Sequence, residues 1–135
     1  MRYLHDKELE QYVERELLPG LAEDCITEFH ERFQLSLDTS PASLQQIDHL
    51  IASNPNALDR TDFTGPIGAY LGAVFSGTDG ARWAARFRRD FGTEGYKISR
   101  LRIYDDEIDV FSLAEEALQG ERRLTDSYAA LHRPW

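Results

Sequence analysis

Apolar residues recur at helical spacing through the first quarter of the chain, at Leu9, Tyr12, Val13 and Leu17 and onward. This period predicts a helix over Lys7–Phe33. Pro19-Gly20 interrupts the run. Because proline has no N–H to donate and crowds the preceding turn, we expect either a sharp kink or two helices meeting there.

The next segment changes from an alternating pattern to a helical one. Leu35 and Leu37 alternate with polar neighbours and predict a short strand. Ser40-Pro41 then places a good N-cap before a proline at the first helical position. The apolar stripe that follows, before Asn54-Pro55-Asn56, predicts a second helix and consists of Leu44, Ile47, Leu50 and Ile51.

A polar surface loop extending to Thr64 and then a third helix are expected after this stripe. The helix is predicted to begin around Gly65-Pro66, to run to Phe75 and to end at Gly77. Gly68 and Gly72 lie four residues apart on one face of it. Glycine inside a helix costs about 0.5–1 kcal/mol relative to alanine, so close approach by another backbone should compensate, and the helix should be central.

From Ala81 the apolar period changes to two, which is typical of a half-buried strand with its apolar side chains at Trp83, Ala85 and Phe87. The turn-like Gly92–Gly95 separates it from a second predicted strand, Tyr96–Tyr104. Asp105-Asp106 supplies another turn, and Ile108–Phe111 predicts a third strand.

Helical patterns return at the end of the sequence. Ser112 and Glu115 have the spacing of a capping box, and the helix that they predict stops at Gly120. A last helix is predicted from Leu124, Tyr128 and Leu131. The whole pattern predicts one α+β domain over residues 1–135, with N-terminal helices, a small antiparallel sheet of about three to four strands and C-terminal helices.

Composition narrows the class of protein. The 135 residues are 41% hydrophobic and 29% charged, which is globular, and no apolar run approaches the roughly 20 residues that cross a bilayer. The N-terminal residues turn acidic where a signal peptide needs an apolar segment. Cys25 is the single cysteine, so no intrachain disulfide can form. We expect a cytoplasmic protein with no membrane association.

Motifs that carry chemistry are missing from the sequence. Neither a phosphate-binding loop, a dinucleotide fingerprint, a nucleophile elbow nor an HExxH zinc motif occurs, and we predict no cofactor and no metal. Cys25 falls in an apolar stripe among acids, which disfavours a reactive thiol. One enzymatic alternative stays open, in which His49 acts with Asp48 or Asp105.

The densest acidic run holds alternating carboxylates at Asp105, Glu107 and Asp109. On a strand these would share one face and could bind a hard cation. The run lacks the glycine and the distant glutamate of an EF-hand loop. A hairpin turn with solvated or arginine-paired acids is therefore favoured.

Charge is distributed unevenly along the chain. The formal net charge is −9, yet Arg82–Arg102 holds seven basic and two acidic residues, a net +5 that leaves −14 elsewhere. If two strands pair here as a hairpin, arginines at even positions gather on one face. Pairing with the chain's own acids is favoured, since the net field repels polyanions. The alternative is an anion or nucleic-acid site at Arg86, Arg88, Arg100 and Arg102.

The leading hypothesis is a non-catalytic protein-binding module. A small acidic domain without a catalytic set suits an immunity or anti-toxin-like protein, or an accessory inhibitor, that acts through an acidic surface. Tyr70 and Trp83 are the candidate aromatic contacts, with Asp59 and Asp62 as candidate loop acids. For both aromatic residues, packing in the core is the competing interpretation.

One segment resembles a family of small uncharacterised bacterial domains. Gly68–Val74 reads G-A-Y-L-G-A-V and is followed by Gly80–Trp83, which ends in the tryptophan of a G-x-x-W pattern. Leu37–Ser40 matches the leucine-aspartate-x-serine element that precedes these in the family. Ala73 departs from the pattern, because the family has glutamate there. The resemblance implies a bacterial α+β domain and brings no known activity.

Overall fold

The computed structural model describes residues 6–87, 94–100 and 107–133, with side-chain surroundings for 7–85 and 107–133. These residues are mostly helical, with strands between the helices. The elements are α1 (Asp6–Tyr12), a π-helical turn (Val13–Leu17), α2 (Leu18–Phe33), α3 (Ser43–Ser53), α4 (Arg60–Asp79), β1 (Ala81–Phe87), β2 (Glu94–Arg100), β3 (Glu107–Ile108), α5 (Val110–Leu118) and α6 (Leu124–Leu131). This order is compatible with the predicted α+β class.

The proline near the start of the chain is accommodated by a local change of helix type. A five-residue π-helical turn precedes α2, and the N–H of Leu18 donates to the carbonyl of Val13, five residues back. Pro19 is the second residue of α2. The backbone stays helical across this junction, since Leu17 and Leu18 both have right-handed helical dihedral angles. The predicted kink or helix boundary at Pro19-Gly20 is therefore misplaced, because the change of helix type lies earlier, at Val13–Leu17, and α2 continues through both residues.

The predicted strand at Leu35 and Leu37 is wrong. Gln34 ends α2 in the left-handed conformation, with φ of 56°, and the N–H of Leu35 donates to the carbonyl of Phe29. The backbone here caps a helix and pairs with no strand. The two leucines are apolar because Leu37 is buried in the core and Leu35 packs against it.

Helix α4 begins five residues earlier than predicted and ends at Asp79. The carboxylate of Asp59 accepts the N–H of Thr61 at 2.8 Å and caps the helix N-terminus, so the predicted loop forms its first turn. Gly80, with φ of 66°, provides the left-handed residue after its last turn. Residues 67–72 are all buried, which confirms that this helix is central.

The strands pair antiparallel. The β1–β2 register runs from Ala81 opposite Arg100 to Phe87 opposite Glu94, and β2 meets β3 at two residue pairs. The predicted third strand through Phe111 is too long, because Asp109 accepts the N–H of Ser112 at 3.2 Å and starts α5. Asp109 therefore takes the capping role predicted for Ser112.

Aromatic rings lie against the two glycines of α4. A Cβ added to Gly68 would lie 2.5 Å from Cδ1 of Phe111, and one added to Gly72 would overlap the indole of Trp83. The two rings stack with centroids 6.2 Å apart. The predicted close approach to α4 is confirmed. The groups that approach the two glycines are side chains, whereas the prediction was another backbone.

Two groups of buried side chains make up the core. The larger surrounds α4, and the smaller consists of Val13, Leu18 and Ala85. Trp83 and Phe111 pack against both groups. The π-helical turn is thereby joined to β1 through apolar contact.

Candidate protein-binding surface

Tyr70 lies in the core, where it offers no surface to a partner. Its side chain is fully buried, and its hydroxyl accepts the N–H of Thr39 at 2.9 Å and lies 2.5 Å from Oγ of Ser43. Burial is the main cause that raises the pKa of Tyr70 above its usual value. This corrects the expectation that Tyr70 contacts a partner, since its ring and hydroxyl connect α4 to the start of α3.

Trp83 is half-buried and also has a packing role. Its indole covers Gly72 and stacks on Phe111. The two predicted aromatic contacts therefore do not form an exposed pair. Tyr70 is buried in the core, and Trp83 packs between β1 and α5.

Asp59 and Asp62 are exposed at the start of α4. The Asp59 carboxylate is engaged in capping, and Asp62 lies in the first turn, where a negative charge is favoured by the helix dipole. Asp62 also borders a shallow depression beside Arg32 and Phe63. Helix formation thus accounts for both acids without a partner.

The predicted arginine site lies largely outside the described residues. Arg88 and Arg102 are not described, and only the backbones of Arg86 and Arg100 are. The ladder pairs Arg82 with Ser99 and Ala81 with Arg100, so even positions of β1 stand opposite odd positions of β2. Directly paired residues lie on the same face of a sheet. The prediction that arginines at even positions gather on one face is therefore wrong for this ladder, because Arg86 and Arg100 lie on opposite faces.

Tyr12 and Leu17 are two exposed apolar residues that the pattern of the sequence does not predict. Tyr12 is 53% exposed and Leu17 is 39% exposed, and they are the large hydrophobic residues exposed in the described part of the chain. The helical spacing of the sequence predicts both in the buried stripe. The residues that this segment buries are Val13 and Leu18, which lie five positions apart across the π-helical turn.

The helical segment that carries this pair is rich in acidic residues. Residues 6–33 hold nine acidic and three basic side chains, a net charge of −6 with His30 neutral. Glu16, Glu23 and Asp24 are exposed along this stretch. One of the three bases, Arg32, pairs with Glu28 at 2.9 Å. We call the exposed side of α1, the π-helical turn and α2 the acidic helical face.

The buried side of these helices, beneath the acidic helical face, is held against the outer edge of β1. Oε1 of Glu14 accepts a hydrogen bond from the backbone N–H of Ala85 at 3.0 Å. In the described part of the sheet β1 is an edge strand. Backbone N–H and C=O groups on the outer side of an edge strand have no neighbouring strand to pair with. The contact, together with the apolar packing of Val13 and Leu18 on Ala85, fixes the position of Tyr12 and Leu17.

The histidine–carboxylate pair of the enzymatic alternative is not assembled at His49. Its neighbour Asp48 caps α6 by accepting the N–H groups of Leu124 and Thr125, at 2.8 and 3.0 Å, and the Thr125 hydroxyl at 2.8 Å. His49 is exposed beside it, and Asp105 lies outside the described residues. Asp48 therefore has a structural role.

A different histidine meets a carboxylate. Nδ1 of His132 lies 2.6 Å from Oδ1 of the buried Asp79, whose Oδ2 accepts the N–H of Arg133 at 2.7 Å. Tyr128 stacks on the His132 ring and donates to Thr78. These contacts join the end of α4 to the end of α6. Asp79 and His132 are 53 positions apart in the sequence, so no local motif could predict their contact.

Cys25 is a buried thiol, and the described residues of the acidic run occupy structural positions. Burial raises the pKa of Cys25 to about 12, so its thiol is protonated at neutral pH. Asp109 caps α5, Glu107 lies in β3, and Asp105 is not described. Within the described residues no group of three or more potential ligands is arranged to hold a metal ion.

Comparison with protein-family models, with curated proteins and with solved structures finds no match to this chain in any of the three. Among the helices of the described ranges, none combines the length and the apolar character needed to span a membrane.

Proposed function

We propose that this protein is a non-catalytic binding module whose acidic helical face binds a basic protein, in the manner of an immunity or anti-toxin-like protein or an accessory inhibitor. The observation that carries the proposal is the exposure of Tyr12 and Leu17 within a stretch of net charge −6. Exposed apolar side chains in a negatively charged segment are suited to bind a partner whose surface is positively charged.

The apolar residues and the acidic residues of this face contribute to binding in different ways. Burying a side chain such as that of Leu17 contributes about 1.5–3 kcal/mol, and aromatic residues are enriched where binding energy concentrates. The acids act mainly on encounter, because a negative surface attracts a basic partner and repels acidic ones. Tyr12 and Leu17 would thus hold the partner that the acids attract.

The face is already ordered before binding. Its backbone is helical, Val13 and Leu18 are buried beneath it, and Glu14 is bonded to β1. Binding therefore needs little ordering of the chain, and that reduces its entropic cost.

Charge reversal tests the electrostatic part. The triple variant Glu16→Lys, Glu23→Lys, Asp24→Lys is compared with Glu121→Lys, which reverses an exposed acid after α5. The protein is used to capture partners, and a captured basic protein is purified for calorimetry at two salt concentrations. We expect the triple variant to bind at least about tenfold more weakly at low salt and the gap to narrow at high salt. Equal loss in both variants, or an acidic partner, would contradict the proposal.

The proposal includes three further expectations. The fold of the whole chain is α+β with an antiparallel sheet of three to four strands, supported by the pairing of β1 with β2. The family is the small bacterial one that Gly68–Val74 resembles, and the contact of Gly72 with Trp83 gives its signature a packing role. The location is the cytoplasm, which the lone buried Cys25 favours.

A second candidate is an anion or nucleic-acid site on the arginine hairpin, supported by the exposure of Arg82 on β1. Because the register places Arg86 and Arg100 on opposite faces of the sheet, such a site would use one of these faces. Its test is the quadruple alanine variant of Arg86, Arg88, Arg100 and Arg102, with binding of a phosphate-rich oligonucleotide measured at two salt concentrations. Loss of salt-sensitive binding would favour this candidate, and unchanged or absent binding would remove it.

A further inference from the structure

A cavity of about 330 Å³ lies between the end of α3 and the turn that joins α5 to α6. It is separate from the acidic helical face, since no residue of α1, the π-helical turn or α2 lines it. Its volume falls at the lower end of the range of small-molecule sites, which is roughly 300–1,000 Å³. The lining that matters for a ligand comprises Ile51, Ala52, Pro55, Ala117, Leu118 and Arg122.

The floor of the cavity is apolar. Ile51 and Leu118 are partly buried and pack against the main core, and Pro55 and Ala117 extend the apolar surface. A flat or branched hydrocarbon group placed here would leave water and contact side chains that the core already holds. This burial contributes about 25 cal/mol for each Å² of apolar surface.

The charges around the cavity leave one cation available. The Asp48 carboxylate accepts three hydrogen bonds from Leu124 and Thr125, which compensate its charge. Arg123 pairs with Asp126 at 3.3 Å. The Arg122 guanidinium has no side-chain partner within the described part of the chain, so it can take up an anion.

A second depression continues from the first one. It measures about 520 Å³, is lined by His49 and Thr125, and shares Asp48, Ala52 and Arg123 with the apolar cavity. Ala52 stands at the boundary between the two. A side chain enlarged at this position would therefore obstruct both.

We propose that the cavity beside α3 binds a small organic carboxylate, with an apolar body against Ile51 and Leu118 and the carboxylate at Arg122. The site is independent of the protein-binding function, and either can fail without the other. No covalent step is involved.

Calorimetry with a matched pair of probes tests this site. Naphthylacetate carries the charge and the flat apolar body, and naphthylacetamide has the same body without the charge. We expect saturable binding of one naphthylacetate per chain, and weaker binding of the amide by about tenfold. Absence of saturable binding to the folded protein, or equal affinity for the two probes, would overturn the proposal.

Two variants and one control variant locate the site. Ala52→Trp should fill the boundary and lower naphthylacetate affinity at least tenfold, whereas Ala130→Trp, also at an exposed alanine of a helix, should change it less than twofold. Arg122→Gln should lower naphthylacetate affinity about fivefold or more and leave the amide unchanged. Circular dichroism and thermal melting confirm that each variant is folded. Equal effects of the two tryptophan variants, or no effect of Arg122→Gln, would place the probe elsewhere and contradict the proposed site.

Discussion

The carboxylate of Glu14 accepts a hydrogen bond from the backbone N–H of Ala85, 71 positions later in the chain, at 3.0 Å. The contact joins the π-helical turn to the outer edge of β1. Because an unpaired strand edge invites pairing with other chains, Glu14 both protects that edge and orients the turn that exposes Tyr12 and Leu17.

Glu14→Ala should lower the free energy of unfolding by about 1–2 kcal/mol, because it leaves the Ala85 N–H without this acceptor. Glu14→Gln should cost less, since its amide oxygen can still accept. Urea denaturation measures both. If the alanine and glutamine variants were equally stable, the hydrogen bond would have no energetic role.

Gly72→Ala should destabilise the protein by about 1–3 kcal/mol, since the new Cβ overlaps the indole of Trp83. Gly77→Ala in the same helix is the matched control, because nothing lies within 4 Å of its added Cβ. The control should be stabilising by about 0.5–1 kcal/mol through helix propensity. Thermal melting compares them, and similar shifts in both would argue against the packing described at Gly72.

Stability should fall at alkaline pH because of Cys25 and Tyr70. The folded state raises the pKa of Cys25 from 9.0 to about 12, and burial raises that of Tyr70 above 10.0. Above pH 9 the unfolded chain releases protons that the folded chain retains, so the free energy of unfolding declines with rising pH until about 12. Below pH 9 the contribution is fully present.

Urea titrations over this pH range check the effect in wild type and in Cys25→Ala. The variant should be less stable at neutral pH, because it leaves a small cavity, and should lose less stability as the pH rises. Identical pH dependence in the two proteins would show that the thiol ionises as easily in the fold as in the unfolded chain.

Asp48→Ala should cost about 2–3 kcal/mol, since it removes the acceptor for the first N–H groups of α6 and for the Thr125 hydroxyl. Amide hydrogen exchange should accelerate most at Leu124 and Thr125. Gln45→Ala, an exposed change on the same helix, should stay within about 0.5 kcal/mol of wild type. Uniform acceleration across the chain would mean that Asp48 acts on global stability alone.

Local patterns predicted part of the fold and none of the contacts between distant segments. The spacing of Gly68 and Gly72 was enough to predict a closely packed central helix. It could not identify Trp83 and Phe111 as the groups that approach, because one comes from β1 and the other from α5.

The errors at helix starts have a common cause. Asp59 and Gly65-Pro66 are both acceptable helix starts in the sequence, and so are Asp109 and Ser112. In each case the structure uses the earlier residue as the cap. Burial of the helix decides such choices, and burial depends on partners far along the chain.

The exposed pair could not be read from periodicity. Helical periodicity places Tyr12, Val13 and Leu17 together in the apolar stripe, whereas the structure buries Val13 and Leu18 and exposes Tyr12 and Leu17. Pro19 was the signal for a local irregularity, but its form depends on the packing of the turn against β1.

The double variant Tyr12→Ser, Leu17→Ser tests the central claim most directly, because both residues are exposed and the change leaves the core intact. The measurement is the Kd for the purified basic partner by calorimetry at low salt, with melting temperature as the control for folding. We predict at least about 30-fold weaker binding, equivalent to about 2 kcal/mol, with an unchanged melting temperature. Affinity within twofold of wild type would contradict the assignment of the binding surface to the acidic helical face.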